Sequence, residues 1–435
     1  MESTSDPIRG HHTRPAGQGR QDSILSPHSA SWRRNVFAAA AATFIGFTGF
    51  TLVMPFLPLY FRQLGVTDVG EIAMWSGLSL GVTPGLTALL APLWGRLADR
   101  FGRKIMIERS IVSFVIIMTL MAYVHAPWQV FALRVVQGLF AGYGSLAVAM
   151  AAESAPASKM AQAIGTVQMA QRLGPALGPV IGGIVASLVG LRHAFLVTAG
   201  FYAAALILVF VLYQEQPAVV RRTRPSGRVT FRDILAFENF LLLMGVIFVV
   251  QLVDRSTGPI LPLFVAQLDP GLTPARVALI AGLLFSLSAG AGALGNQLSA
   301  RMLRRMRPRK VLTLTAAVAA ASALVYASSS NVWPLFAATP FFGAAVGAAM
   351  TCAYATAGSV IPSGASGAGF GVLTTASLAG LAISPVASGL LGATSIRAVF
   401  IVDTVALVVV AILVRRVMMD SPSAHGAPAP TVDHG

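Results

Sequence analysis

Cysteine is all but missing from this chain. Its 435 residues include one, Cys352, set inside an apolar run. A single thiol excludes an intrachain disulfide and a cysteine-rich metal site. Charge is scarce too: Asp, Glu, Lys and Arg make up 11% of the residues, against about 25% in a soluble domain. Acids are the scarcer sign, 16 against 31 Lys and Arg. No G-x-x-x-x-G-K-[ST] occurs, so an ATP-driven machine and a nucleotide cofactor are not expected. Residues 1–34 lack an apolar h-region, which argues against a cleavable signal peptide. They set Arg9, His11, His12, Arg14 and Arg20 among Gly, Ser and Pro, the composition of a disordered tail.

Hydrocarbon fills the space that charge leaves. Hydrophobic residues are 55% of the chain, and mean hydropathy is +0.73. They come in runs of roughly twenty, enough to cross a bilayer core of ~30 Å. Twelve spans are expected, over about 36–61, 71–94, 105–124, 128–151, 161–188, 193–213, 238–265, 276–300, 310–328, 332–358, 367–391 and 397–414. Between the sixth and seventh the composition changes to Arg221, Arg222, Arg224, Arg228 and Arg232 with two prolines. The organisation expected is a tail (1–34), a six-helix bundle (35–213), a linker (214–237), a second bundle (238–416) and a second disordered tail (417–435).

The net charge of +15 would suit a nucleic-acid partner, but its distribution does not. Basic residues gather in the N-terminal tail, loop 2–3, the linker and loop 8–9, which share one face if the spans alternate. The other face holds Arg62, Arg192, Arg276 and Arg397. That asymmetry is the positive-inside pattern, and it puts both termini in the cytoplasm. The partner expected is a lipid bilayer, not nucleic acid.

The halves repeat at a spacing of about 205 residues. Met54-Pro55-Phe56-Leu57-Pro58-Leu59-Tyr60 matches Gly258-Pro259-Ile260-Leu261-Pro262-Leu263-Phe264. Trp128, Gly138 and Gly142 match Trp333, Gly343 and Gly347. Pro179 matches Pro385, and Arg192 and Phe195 match Arg397 and Phe400. One offset across a whole half indicates duplication: two pseudo-symmetric bundles with a site at their interface.

Three stretches carry mechanism. Gly95-Arg96-Leu97-Ala98-Asp99-Arg100-Phe101-Gly102-Arg103-Lys104 joins spans 2 and 3, and is expected to be a short turn bent at Gly95 and Gly102. Glu153, near the inner end of span 4, is placed to pair with Arg100 or Arg103. In span 5, Gly174, Gly178 and Gly182 recur every fourth residue. They form a small-residue stripe beside Pro175, Pro179 and Gly183, where a neighbouring helix can approach closely. Span 4 contains Arg134-Val135-Val136-Gln137-Gly138.

The loop 2–3 decapeptide resembles the G-x-L-A-D-R-x-G-R-K signature of the major facilitator superfamily. Gly174 to Gly183 resembles its antiporter signature, G-x-x-x-G-P-x-x-G-G. Together with Gly49–Pro58 in span 1 and the R-x-x-Q-G stretch, these are similar to the twelve-span drug:proton antiporter-1 family. The resemblance covers roughly residues 35–416. It implies an all-α membrane protein of twelve helices in the bacterial cytoplasmic membrane. This would be a monomeric, non-enzymatic exporter of amphipathic compounds, drugs included, in exchange for protons. It also implies that loop 2–3 and Glu153 act as a conformational latch, Asp99 facing the start of span 11 near Gly367. The arginine of R-x-x-Q-G, here Arg134, would serve proton coupling; the other reading is an arginine that snorkels to the outer surface. Span 1 lacks the carboxylate that some relatives carry.

Ionisable residues inside a membrane are functional candidates. Arg134, Arg172 and Arg255 qualify, with Asp254 the acid nearest mid-span, Asp403 further out in span 12, and either Arg134 or Arg172 a possible partner for Asp254. Asp254 is the leading proton carrier on this reading. The cavity is expected among spans 1, 2, 4, 5, 7, 8, 10 and 11, with Phe50, Met54, Phe56, Met169, Phe248 and Phe285 as soft apolar contacts. Two other readings stand beside drug export: passage of an anionic metabolite with Arg172 and Arg255 as counter-charges, and a non-transporting receptor.

Overall fold

A computed structural model of the chain describes residues 28–156, 159–214, 239–361 and 366–419, apart from the side chains of 28–31, 92, 99, 144, 145, 161 and 366–368. The rest of both expected tails and nearly all of the expected linker lie outside the described residues. Every regular element among those described is helical, as a hydrocarbon surround demands of a chain that must satisfy its own backbone.

The first half comprises α1 (His28–Leu52), α2 (Leu57–Gln63), α3 (Val69–Phe101), α4 (Arg103–Met121), α5 (Pro127–Phe140), α6 (Tyr143–Ser154), α7 (Met160–Val189) and α8 (Leu191–Leu212). The second comprises α9 (Phe240–Leu268), α10 (Pro274–Leu303), α11 (Pro308–Ser328), α12 (Trp333–Val360), α13 (Ser366–Thr394) and α14 (Ile396–Val417). Among the described residues, ten helices are long and apolar enough to cross a membrane. The other two crossings are α4, which starts with Arg103, Lys104, Glu108 and Arg109, and span 4, which is divided between α5 and α6.

Four expectations need correction. Span 1 is not continuous: Pro55 cannot donate a backbone hydrogen bond, and the chain turns between α1 and α2. Span 4 breaks at Gly142, whose φ of +123° suits a residue without Cβ. The loop 2–3 decapeptide is not a short turn, because α3 runs through Gly95 to Phe101 and the bend falls at Gly102 alone (φ +92°). Residues 28–34 belong to α1 rather than to a tail.

The end at which α1 begins and α14 finishes is called the base, and the other the crown. Duplication is visible in matched contacts. At the base, Asn35 Nδ2 donates to the Gln214 carbonyl (2.8 Å) and its Oδ1 accepts from Gln214 N–H (3.0 Å). Asn239 clasps Met419 in the same way, at 3.1 and 3.0 Å. At the crown, Arg192 donates to the Val124 carbonyl (3.4 Å), and Arg397 to those of Ala327 and Ser329 (both 2.8 Å). Tyr60 packs on Phe195 with centroids 4.8 Å apart, and Phe264 on Phe400 at 5.0 Å.

Small residues join the halves towards the crown. A Cβ on Gly70 would meet the Ala393 backbone, and one on Gly77 would meet Pro385 and Gly389, sealing α3 to α13. Gly183 sits against Ala278 and Leu279, and Gly282 against Pro179, sealing α7 to α10. Towards the base, added Cβ atoms on Gly95, Gly165 and Gly371 would meet nothing within 4 Å. The close glycine contacts between the halves thus gather towards the crown.

Candidate functional site

The gap between the halves is a cavity of two lobes. One, of about 750 Å³, is bordered mainly by α7, α9, α10 and α12. The other, of about 550 Å³, lies among α1, α3, α6 and α13, with Phe114 of α4. They share Met54, Gln171, Arg255 and Gly258, so they communicate.

The larger lobe is polar. Asn296, with its amide turned so that each atom meets a complementary group, accepts from Arg172 Nη1 at 2.7 Å. Its nitrogen then donates to the Gly347 carbonyl (2.7 Å) and the Thr351 hydroxyl (3.0 Å). Arg172 in the first half is thereby tied to α10 and α12 in the second. Asp254 and Arg255 form an ion pair, Oδ2 to Nε 3.1 Å, with side chains 28% and 36% exposed. The sequence reading sought the partner of Asp254 in Arg134 or Arg172; the structure gives the adjacent residue. Adjacent helical side chains diverge, but both of these lean into an open cavity where their length closes the gap.

The smaller lobe is aromatic, with Phe47, Phe50, Phe114 and Tyr143 in its wall. Arg134 reaches it from α5 and does not snorkel: it is 2% exposed. Its Nη1 donates to Gln137 Oε1 at 2.8 Å, one turn along. Its Nε and Nη2 have no hydrogen-bond partner among the described residues. Three arginines and one aspartate are thus the charged residues of the two walls.

The break in span 4 lies beside this lobe, and it leaves α5 carbonyls without helical partners. Trp94 Nε1 donates to the Leu139 carbonyl (2.9 Å), and Arg109 donates to that of Phe140 (3.1 Å). The Arg109 guanidinium lies 3.5 Å from the Trp94 ring centroid, so the two donors brace each other. Sequence reasoning missed this clamp because it treated span 4 as unbroken.

Of the six expected apolar contacts, Phe50, Met54 and Phe285 line the cavity. Phe56 does not: the break in span 1 turns it into the core, fully buried and edge-on to Phe195 at 5.2 Å. Phe248 lies where α9 backs onto Gly380 of α13. Met169 is exposed on α7, one turn closer to the base than Arg172.

The span 5 stripe packs on α1. Added Cβ atoms on Gly174, Gly178 and Gly182 would press on Phe47 and Thr48, on Thr48 and Thr51, and on Leu52. Pro175 and Pro179 turn to the cavity, and Gly183 to α10. The corresponding stretch of span 11 repeats the arrangement with a serine in place of a glycine: Gly380 presses on α9 and the Ser384 hydroxyl donates to the Leu252 carbonyl. Ser can stand where Gly does because its hydroxyl finds a backbone acceptor.

At the base, Arg103 pairs with Glu153 at 2.7 Å. Lys104 donates to the carbonyls of Phe210 (3.1 Å) and Tyr213 (3.0 Å), ending α8. Arg100 lies over the Phe101 ring at 5.2 Å. The side chain of Asp99 lies outside the described residues.

The family profile described as Major Facilitator Superfamily matches residues 39–324 and 243–434. The chain belongs to the major facilitator superfamily. It is a multi-pass membrane transporter, not an enzyme. This facilitator is 30% identical over 321 residues to the multidrug resistance protein MdtG of Proteus mirabilis (strain HI4320), covering 74% of this chain and 79% of that one. It is 34% identical over 284 residues to MdtG of Enterobacter lignolyticus (strain SCF1), covering 65% and 67%. Its fold is similar to that of a bacterial homolog of the human lysosomal transporter Spinster, inward-facing and unoccupied. The TM-score is 0.72 at 16% identity over 90% of this chain and 97% of that one. The human organic anion transporter MFSD10 gives 0.61 at 17% identity, over 89% and 100%.

Proposed function

We propose that this facilitator exports amphipathic organic compounds, drugs among them, across the bacterial cytoplasmic membrane in exchange for protons. Both termini are cytoplasmic on this reading, so the cavity described here opens inward. The working unit is a monomer. The observation that carries the proposal is the paired cavity: an aromatic lobe that accepts an apolar body, joined to a polar lobe that meets a charged or hydrogen-bonding head. The relatives' names as multidrug resistance proteins support the substrate class.

Transport follows from rocking one half against the other about the central cavity. Substrate enters from the base while the glycine seams hold the crown shut. Parting the seams and closing the base presents it to the outside. Loop 2–3, with Gly95, Asp99, Arg100, Gly102, Arg103 and Lys104, and Glu153 from α6, acts as the latch at the base. Asp254 is the cavity carboxylate placed to exchange a proton, and Arg134, Arg172 and Arg255 set the field around it.

A second reading has a specific observation behind it. Three arginines to one aspartate make the cavity wall net positive. That favours an anionic head group over a lipophilic cation. An efflux panel in a deletion strain complemented with this gene tests both readings. Export of lipophilic cations and neutral amphiphiles supports the first; export confined to anions supports the second. No dependence of efflux on the gene contradicts both.

A further inference from the structure

Asp403 lies in α14 outside the cavity wall, and the mechanism above does not use it. It is 3% exposed. Ser256 Oγ stands 2.6 Å from its Oδ2 and 2.9 Å from the Val253 carbonyl oxygen. A serine has one proton to donate. If Asp403 were ionised, both neighbours of Ser256 Oγ would be pure acceptors, and one contact would lack a hydrogen. A proton on Asp403 supplies the second: Oδ2–H donates to Ser256 Oγ, and Ser256 donates to Val253.

Among the described residues, its surroundings offer no counter-charge. The helices packed on α14 are α9, α11 and α13. On α9 the titratable groups are Asp254 and Arg255, which pair with each other. On α11 they are Arg309 and Lys310 at the base, and Tyr326, whose hydroxyl is bonded to Thr339 (2.7 Å). Helix α13 has none. On α14 itself, Arg397 is spent on the carbonyls of Ala327 and Ser329, and Arg415 and Arg416 lie at the base. An unpaired carboxylate buried this deeply is far costlier than a neutral acid.

Ser256 also connects this acid to the cavity. It follows Arg255 directly, and Pro259 deprives the Arg255 carbonyl of its usual helical donor. The turn carrying Asp254, Arg255 and Ser256 therefore lacks one of its backbone hydrogen bonds, and Pro262 does the same to the next turn of α9.

We propose that Asp403, with Ser256, is a proton-binding site that takes its proton from the crown side, still holds it in the base-open state described, and empties towards the base before the next substrate is exported. This rests on the proton-exchange reading above, and adds a buried site to the cavity carboxylate. The test has two arms on the full chain reconstituted in lipid. Infrared spectroscopy of the wild type at neutral pH should show a protonated-carboxyl C=O stretch that disappears in Asp403→Asn and shifts in Ser256→Ala. Because Asn can donate to Ser256 as the acid does, that variant is expected to fold. It should keep substrate exchange at equal concentrations but lose accumulation driven by an imposed pH gradient. Absence of an Asp403-dependent band, or gradient-driven accumulation by Asp403→Asn equal to wild type, would overturn the proposal. If the wild type shows the band but no response to the gradient, the exchange reading has failed. Asp403 is then a structural acid, and its carrier role is overturned too.

Discussion

The backbone N–H of Val180 donates to the hydroxyl of Ser286 across the boundary between the halves, at 3.0 Å. Val180 lies within the span 5 motif, directly after Pro179, and Ser286 follows Phe285 of the cavity wall. The contact ties the glycine seam at the crown to the substrate site.

Ser286→Ala removes that tie. A neutral hydrogen bond contributes about 1 kcal/mol net, a roughly five-fold shift in a two-state ratio. The crown should open more often. Spin labels at Thr67 and Thr394, in a Cys352→Ala background, should give a broader and longer distance distribution than in the unmutated chain. An unchanged distribution would mean that the seams alone hold the crown.

Gly178→Leu should abolish efflux at matched expression. A Cβ there already comes within 2.6 Å of the Thr48 carbonyl oxygen, and nearer still to the Thr51 hydroxyl. Gly95→Ala makes the contrast. In the state described nothing lies within 4 Å of the added methyl, and helix propensity favours it by about 1 kcal/mol. Its thermal stability should hold or rise, while transport falls if the base must close over this position. Normal transport by Gly95→Ala would remove Gly95 from the latch.

Trp94→Phe keeps a ring for Arg109 and deletes the donor to the Leu139 carbonyl. A carbonyl left without a partner away from water costs about 1–3 kcal/mol. The thermal midpoint in detergent should drop, and Arg109→Ala should lower it too, by leaving the Phe140 carbonyl without its donor. Equal midpoints for all three proteins would show that the break in span 4 needs no clamp.

Much of the fold could be read from the residues. Twelve apolar runs and the repeat of Arg192 and Phe195 in Arg397 and Phe400 gave the architecture, because hydrocarbon leaves a chain few alternatives to helices. Asn35 and Asn239 share that spacing and were legible in principle. The breaks in spans 1 and 4 were not, since Pro55 and Gly142 sit among other prolines and glycines that stay helical. The misplacement of Phe56 follows directly: one turn of irregular backbone rotates it from cavity to core. Sequence also located Asp403 but not its burial, which depends on how α14 packs against α9.

Asp254→Asn should spare substrate binding and eliminate efflux driven by a pH gradient, because the amide cannot release a proton. It also leaves Arg255 unpaired, so affinity for anionic substrates should rise. Binding titrations and vesicle uptake on the same preparation separate these effects. Gradient-driven uptake at the wild-type rate would exclude Asp254 as a carrier.

Proton-driven export is tested most directly in everted membrane vesicles from a strain that expresses this chain. Acidifying the lumen should drive a fluorescent amphipathic substrate into the vesicles against its concentration gradient. A protonophore should collapse that accumulation, and vesicles lacking the protein should show none. Accumulation that ignores the protonophore, or uptake no greater than in the control vesicles across both cationic and anionic substrates, would contradict the account.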